Sequence, residues 1–302
     1  MVFDIVSIGN INIDLSFRLG SVPREDSEVL SDDFMLSQGG SAANLAFAAS
    51  RLGLKVAMLG CVGDDKFGKE GVEELEGEGV DCSVVRRVKG ARTGAVCILV
   101  DRQGRRSMVA FRGANESLAS ALDGGIPETG IVHLSNVSRA VLRKVLGTRK
   151  GYRISLDPGG GVKELVVGSL VGLDLLLLNE KECTALTGLP LAKGAELLAK
   201  RVGTVVVKRG REGVYSARGE ELYCQPSFDV RAVDTTGAGD AFDAGFLFGT
   251  LRGREMEECL SLGQAVAGMK IGGFGARSNL PSRQKLVRFL EEHHLAKYCP
   301  EM

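Results

Sequence analysis

From residue 115 onward the chain alternates between two hydrophobic periods, and this alternation most narrows the folds open to it. Short apolar runs at 131–135, 152–157, 174–178 and 204–208 read as strands, and the stretches at 138–146, 162–170, 180–186 and 191–201 carry a helical period. Strands alternating with helices predict a doubly wound, mostly parallel α/β sheet with helices on both faces. Compact apolar runs at 3–8 and 55–62 suit two further buried strands. Such sheets bind ligands beyond the carboxyl ends of their strands, where this chain places Asn10, Asp157, Asn179 and Lys208.

The segments that break the alternation are strand-like. Residues 16–36 are polar, contain Pro23 and show no helical period, while 83–88, 94–100 and 105–111 read as short strands. The last two are joined by Asp101-Arg102-Gln103-Gly104, a plausible hairpin turn. We expect one domain over residues 1–302, carrying a small β-sheet lid formed discontinuously by about 12–37 and 83–112. Open sheet edges invite pairing, so the lid is expected to close over a site, to join a second subunit, or both.

Composition removes several classes of partner. Lys and Arg together number 38, as do Asp and Glu, so no global field draws the chain to nucleic acid or to an anionic membrane. Seven cysteines without a CxxC pair, and three histidines, two of them adjacent at 293 and 294, offer no metal-ligand spacing. The start has no basic leader and the apolar run at 165–178 is interrupted by Asp174, which together read as a cytoplasmic protein with no membrane partner.

Four local patterns carry chemistry. Asp234-Thr235-Thr236-Gly237-Ala238-Gly239-Asp240, followed by an Ala/Phe-rich run, reads as a tight turn opening a helix whose first amides form an anion hole. Asp240 lies where negative charge collects, either as a partner of the helix dipole or as a functional acid. Gly39-Gly40-Ser41-Ala42-Ala43-Asn44 opens an Ala-rich helix, and its glycines admit either a ligand or close helix packing. Asn12 and Asp14 alternate with apolar neighbours on a strand, as solvated edge residues or as ligands for hydroxyls. Asn179 and Glu182 fit a capping box, and fit equally a role with magnesium and phosphate. The segment from Gly63 to Glu70 approaches the phosphate loop G-x-x-x-x-G-K-[ST], but Glu70 replaces the hydroxyl that would hold magnesium.

Taken together and in this order, Gly39-Gly40-x-x-x-Asn44, Asn179-x-x-Glu182, Lys208-Arg209-Gly210-x-x-Gly213 and the 234–240 motif resemble the ribokinase-like (PfkB) family of sugar and nucleoside kinases. The resemblance spans nearly the whole chain. It implies transfer of the γ-phosphoryl group of ATP to a primary hydroxyl, with Asp240 as base and Gly237, Ala238 and Gly239 as the anion hole. Asn12, Asp14, Gly39, Gly40, Ser41 and Asn44 would line the acceptor site. Asn179 and Glu182 would organise Mg2+, largely through water. Lys208, Gly210 and Gly213 would face the nucleotide, with Gln264 and Asn279 as candidates for the adenine pocket. Some members also bind a monovalent cation such as K+, which would fall here to Asp234, Thr236 and Gly275.

Ribokinases proper usually carry Lys after the paired glycines and an acid near the fifth strand, where this chain has Ser41 and Ser135. The small-molecule acceptor is therefore expected to be a sugar, with nucleosides and 2-keto-3-deoxygluconate-type sugar acids as alternatives. Arg106 or Arg112 in the lid could serve a sugar acid or sugar phosphate, and the sugar phosphate ranks lowest. A sugar-binding regulator that keeps the fold without the chemistry is the rival from another class, and the intact Asp240 argues against it. The open edges of the lid further lead us to expect a homodimer formed through it.

Overall fold

The computed structural model describes residues 2–103, 105–293 and 295. Gly104 of the expected hairpin turn, His294 and Cys299 lie outside the described residues. The first eight strands are β1 (Phe3–Gly9), β2 (Asn12–Leu19), β3 (Ser31–Gly39), β4 (Val56–Leu59), β5 (Cys61–Gly63), β6 (Arg86–Val88), β7 (Gly94–Val100) and β8 (Arg106–Phe111). Then come β9 (Thr129–Ser135), β10 (Arg153–Asp157), β11 (Leu175–Asn179), β12 (Thr204–Lys208), β13 (Val214–Arg218) and β14 (Glu221–Gln225). Helices α1 (Ser41–Arg51), α2 (Lys66–Gly77), α3 (Leu118–Ala121), α4 (Arg139–Gly147) and α5 (Glu180–Thr187) lie between them. They continue as α6 (Leu191–Ala199), α7 (Ala238–Leu251), α8 (Met256–Lys270) and α9 (Arg283–Glu292).

Eight strands form the main sheet in the order β14-β13-β12-β11-β10-β9-β1-β4. It is parallel from β12 to β4 and ends in an antiparallel edge at β13 and β14. Successive side chains of a strand point to opposite faces, so the sheet builds two apolar layers. Ile5 packs with Leu45, Phe242 and Leu260 from α1, α7 and α8. Val6 and Ile8 pack with Leu142 and Leu198 from α4 and α6 on the other face. This is the doubly wound arrangement that the alternation predicts. Among the described residues no helix is long and apolar enough to cross a membrane.

A separate four-stranded sheet, in the order β3-β2-β7-β8, forms the lid. The expected strand at 83–88 is not part of it, because β6 pairs instead with β5 in a small two-stranded sheet. A second difference lies at 162–170, where the period suggests a helix and the chain makes two short 3-10 turns, Gly159–Glu164 and Val167–Leu170. Leu165 and Val166 between them are extended, with ψ of 152° and 150°. Gly168 and the β-branched pair Val166-Val167 give this short segment too little helical preference to bridge that break.

Candidate active site

The carboxyl ends of the central parallel strands form one row. Asp157, Asn179 and Lys208 are the last residues of β10, β11 and β12, and Asn179 pairs directly with Lys208. Two helices, α1 and α7, start above this row.

Helix α7 begins where the sequence places its anion hole. Gly237 is its N-cap at φ +76°, and a Cβ there would lie 2.6 Å from the Ala276 carbonyl oxygen. Only glycine meets both the left-handed backbone and the close approach. The Ala238 amide turns back to the Thr235 carbonyl at 3.2 Å, leaving the Gly239 and Asp240 amides as the outward donors of the first turn.

Asp240 is half-buried. Its Oδ2 accepts a hydrogen bond of 2.9 Å from Asn44 Nδ2, and the Ser41 hydroxyl also contacts the carboxyl. Ser41 and Asn44 are three residues apart on α1 and so share its first-turn face. Burial pushes the Asp240 carboxyl up from 3.8 to about 7; Asn44, Lys208 and Ser41 pull against this, while Asp157 adds to it. A carboxyl poised near neutrality, beside outward amides, can take a proton from a hydroxyl while the amides hold a phosphoryl group.

Asn44 is itself held by Arg277, a residue the motif reading did not single out. Arg277 Nε donates to Asn44 Oδ1 at 3.0 Å, Nη1 to Glu74 at 2.9 Å and Nη2 to the Gly39 carbonyl at 3.2 Å. Its guanidinium also lies 5.4 Å from the centroid of the Phe47 ring. A guanidinium has only donors, so the Asn44 oxygen must face Arg277 and its NH2 must face Asp240.

The paired glycines turn out to fit protein groups closely. A Cβ on Gly39 would lie 2.1 Å from Asp14 Oδ2, and one on Gly40, at φ +95°, would lie 2.3 Å from the Asn10 carbonyl oxygen. Asp14 thus seats its carboxylate flush against the floor that Gly39 provides. It is 7 % exposed, and burial lifts its carboxyl from 3.8 to about 6 against the pull of Arg277. On the same strand Asn12 Oδ1 accepts from Asn115 Nδ2 at 2.9 Å.

Lys208 does not extend toward solvent. Its Nζ sits 2.7 Å from Asp157 Oδ2 and 2.8 Å from Asp243 Oδ1, directly under the anion hole. A Cβ on Gly239 would be 3.5 Å from that ammonium. Burial opposes the charge, but the two carboxylates outweigh it and hold Lys208 above the ordinary lysine value. Burial pushes the Asp243 carboxyl far up, whereas at Asp157 the pull of Lys208 and of its hydrogen bonds outweighs burial and holds the carboxyl below the usual range. A lone acid inside the run Ala241-Phe242-Asp243-Ala244 was the sequence signal for this partner.

Asn179 and Glu182 form the complete capping box at the start of α5, each side chain bonded to the other's backbone amide at 2.9 Å. Burial and the nearby Asp157 charge raise the Glu182 carboxyl. Among the described residues no group of three or more His, Cys, Asp or Glu could hold a metal by itself. Gly210, at φ +57°, has open space where a Cβ would go, whereas a Cβ on Gly213 would lie 1.9 Å from the Gln225 carbonyl oxygen. Gln264 is buried in α8, and Asn279 takes a left-handed φ of 53° in the loop beyond it. Asp234 accepts from the Thr236 amide and hydroxyl and from the Gly275 amide, at 2.9, 2.8 and 2.9 Å.

Residues 2–283 match the pfkB family of carbohydrate kinases. The chain belongs to this family. It is 29% identical to a ribokinase of Haemophilus influenzae, over 94% of this chain and 97% of that protein. It is 32% identical to an ATP-dependent ribose-1-phosphate kinase of Halopiger xanaduensis, over 95% and 98%. The structure of Arabidopsis thaliana ribokinase complexed with ribose and ATP superposes with a TM-score of 0.84 at 28% identity, covering 96% of this chain and 99% of that one. This pfkB kinase is accordingly an ATP-dependent phosphotransferase of the ribokinase type, acting on an alcohol group of a sugar.

Proposed function

We propose that the protein is a cytoplasmic pentose kinase in which Asp240 takes the proton of a primary hydroxyl and the Gly239 and Asp240 amides receive the γ-phosphoryl group of ATP. The observation that carries this reading is the half-buried Asp240, fixed by Asn44 at 2.9 Å in the first turn of α7 and pushed up to about 7. Its position lets one residue accept a proton where the incoming negative charge is stabilised. Asp14, against Gly39, and Asn12 would bind the sugar hydroxyls, with Ser41 and Asn44 keeping the base in place. The Lys208 triad supports the turn from below instead of reaching the nucleotide. Gly210, with its open Cβ position, leaves the backbone approachable by the nucleotide.

Magnesium would be held near Asn179 and Glu182 through water. The fit rests on two oxygen-bearing side chains, Asn179 and the half-buried Glu182, fixed together by the capping box at the end of β11. When bound, the ion would neutralise charge on the ATP phosphates. The lid would join two copies, since its edge strands β3 and β8 expose Phe34, Leu36, Met108, Val109 and Phe111.

A phosphorylated pentose is the second reading. It is favoured by Arg112, half exposed and only loosely paired with Glu164 at 3.9 Å, whose carbonyl accepts from the same Asn115 amide group that donates to Asn12. ADP release measured against ribose, other pentoses, ribose phosphates, nucleosides and 2-keto-3-deoxygluconate separates these acceptors. Asp240→Asn should lower turnover on the best of them by about 10²- to 10⁴-fold while ATP still binds. Unchanged turnover would remove Asp240 from the mechanism.

A further inference from the structure

Helix α8 ends on Lys270, which is 0 % exposed. Its Nζ donates to the backbone carbonyl oxygen of Asp234 at 2.9 Å. Enclosing an ammonium in protein costs several kcal/mol unless nearby groups compensate it. Burial does pull the Lys270 ammonium below the ordinary lysine value; Asp234 and Asp240 oppose that pull and Arg106 adds to it. A methionine would fill the same space without this cost, so the charge itself calls for an explanation.

The place it occupies supplies one. Asp234, Thr236 and Gly275 are the groups that would hold a monovalent cation such as K+. Such a cation binds where several oxygens converge without donors of their own. Here Asp234 Oδ1 already accepts from the Thr236 amide and hydroxyl, Oδ2 accepts from the Gly275 amide, and the main-chain oxygen accepts from Lys270. Arg106 reaches from the lid to donate to Thr236 Oγ1 at 3.2 Å. Both carboxylate oxygens of Asp234 and its main-chain oxygen are thus already met by donors of the chain, and one of those donors carries the positive charge that a bound cation would bring.

We infer that the Lys270 ammonium is the resident cation of the anion-hole loop, a positioning residue that does covalently what K+ would do as a dissociable ligand. It ties down the Asp234 carbonyl three residues before Gly237, and it sets one positive charge behind the turn that receives the phosphoryl group. Ammonium and K+ share a charge and are close in size, so a protein with one built in gains nothing from the other. The inference rests on reading the Gly237 turn as the phosphoryl site.

A thermal-shift titration tests it without turnover or a known acceptor. The protein is heated in KCl and in tetramethylammonium chloride at matched ionic strength, with and without ADP. Wild-type protein should melt at the same temperature in both salts. In Lys270→Met the Asp234 carbonyl is left without its cation, and K+ should raise Tm by about 2–4 °C over the balancing salt. With an accepted sugar, Lys270→Met turnover should fall by about 10- to 100-fold without K+ and recover in part when K+ is added. A saturable, K+-specific rise in wild-type Tm would overturn the assignment, whether or not the variant folds. So would a Lys270→Met protein that keeps full turnover without K+. Absence of turnover with every sugar would count against the kinase reading, while the wild-type melting result would still decide the role of Lys270.

Discussion

Replacing Asp240 by asparagine should stabilise the protein while removing its activity, and the gain should depend on pH. The Asp240 carboxyl is raised from 3.8 to about 7, chiefly by burial. Between these values the folded protein keeps a proton that the unfolded chain has released. A group raised in the folded state supports the fold fully below its unfolded pKa, and that support is lost as pH rises through the folded one. About three pH units at about 1.4 kcal/mol each give a ceiling of about 4 kcal/mol above neutrality. Because Asp240 is only half-buried, about 2 kcal/mol is the working figure. Asparagine does not titrate and can still accept the Asn44 hydrogen bond through its amide oxygen. For a chain of this size the variant should therefore melt with wild type near pH 4 and about 3 °C above it near pH 8. Scanning fluorimetry across that range at constant ionic strength measures the difference curve. A difference that stays flat, or shrinks as pH rises, would refute the raised carboxyl and its assignment as the base.

Two further substitutions probe the groups around it. Lys208→Met leaves the buried Asp157 carboxylate and Asp243 without their cation and should cost about 3–5 kcal/mol in urea unfolding. A loss under about 1 kcal/mol would show that the triad is not held by charge. Arg277→Met frees the Asn44 amide and removes the cation facing Asp14, so the acid limb of kcat/KM should move up by about 0.5–1 pH unit. ATP affinity should stay unchanged, and an acid limb that does not move would make Arg277 a packing residue only.

The alternation of periods made the sheet legible because burial on both faces leaves parallel strands almost wholly apolar, as at Leu175–Asn179. Turn chemistry made α7 legible, since Gly237 must adopt a left-handed φ and pack against Ala276. The capping box at Asn179 was readable for the same local reason. What stayed hidden depends on long-range partners. Lys270 is one charge at the end of a helix rich in small residues, and only the fold brings it to a carbonyl 36 positions earlier. Arg277 sat in a glycine-rich loop with nothing local to show that it would reach Asn44, Glu74 and Gly39. The helix expected at 162–170 is broken by the extended Leu165 and Val166, where Gly168 and the Val166-Val167 pair leave little helical preference.

The clamp around Arg277 also limits how such a chain can evolve. Its contacts to Asn44 and Glu74 cross 233 and 203 positions of sequence. A change at Glu74 alone strands a guanidinium that is 7 % exposed in its side chain, and a change at Arg277 alone releases the amide that steers the base. Losses of this kind are not additive between touching residues. Asn44, Glu74 and Arg277 should therefore be exchanged together or not at all. Acceptor preference in descendants of this sequence should accordingly shift first in the lid, where side chains can vary one at a time.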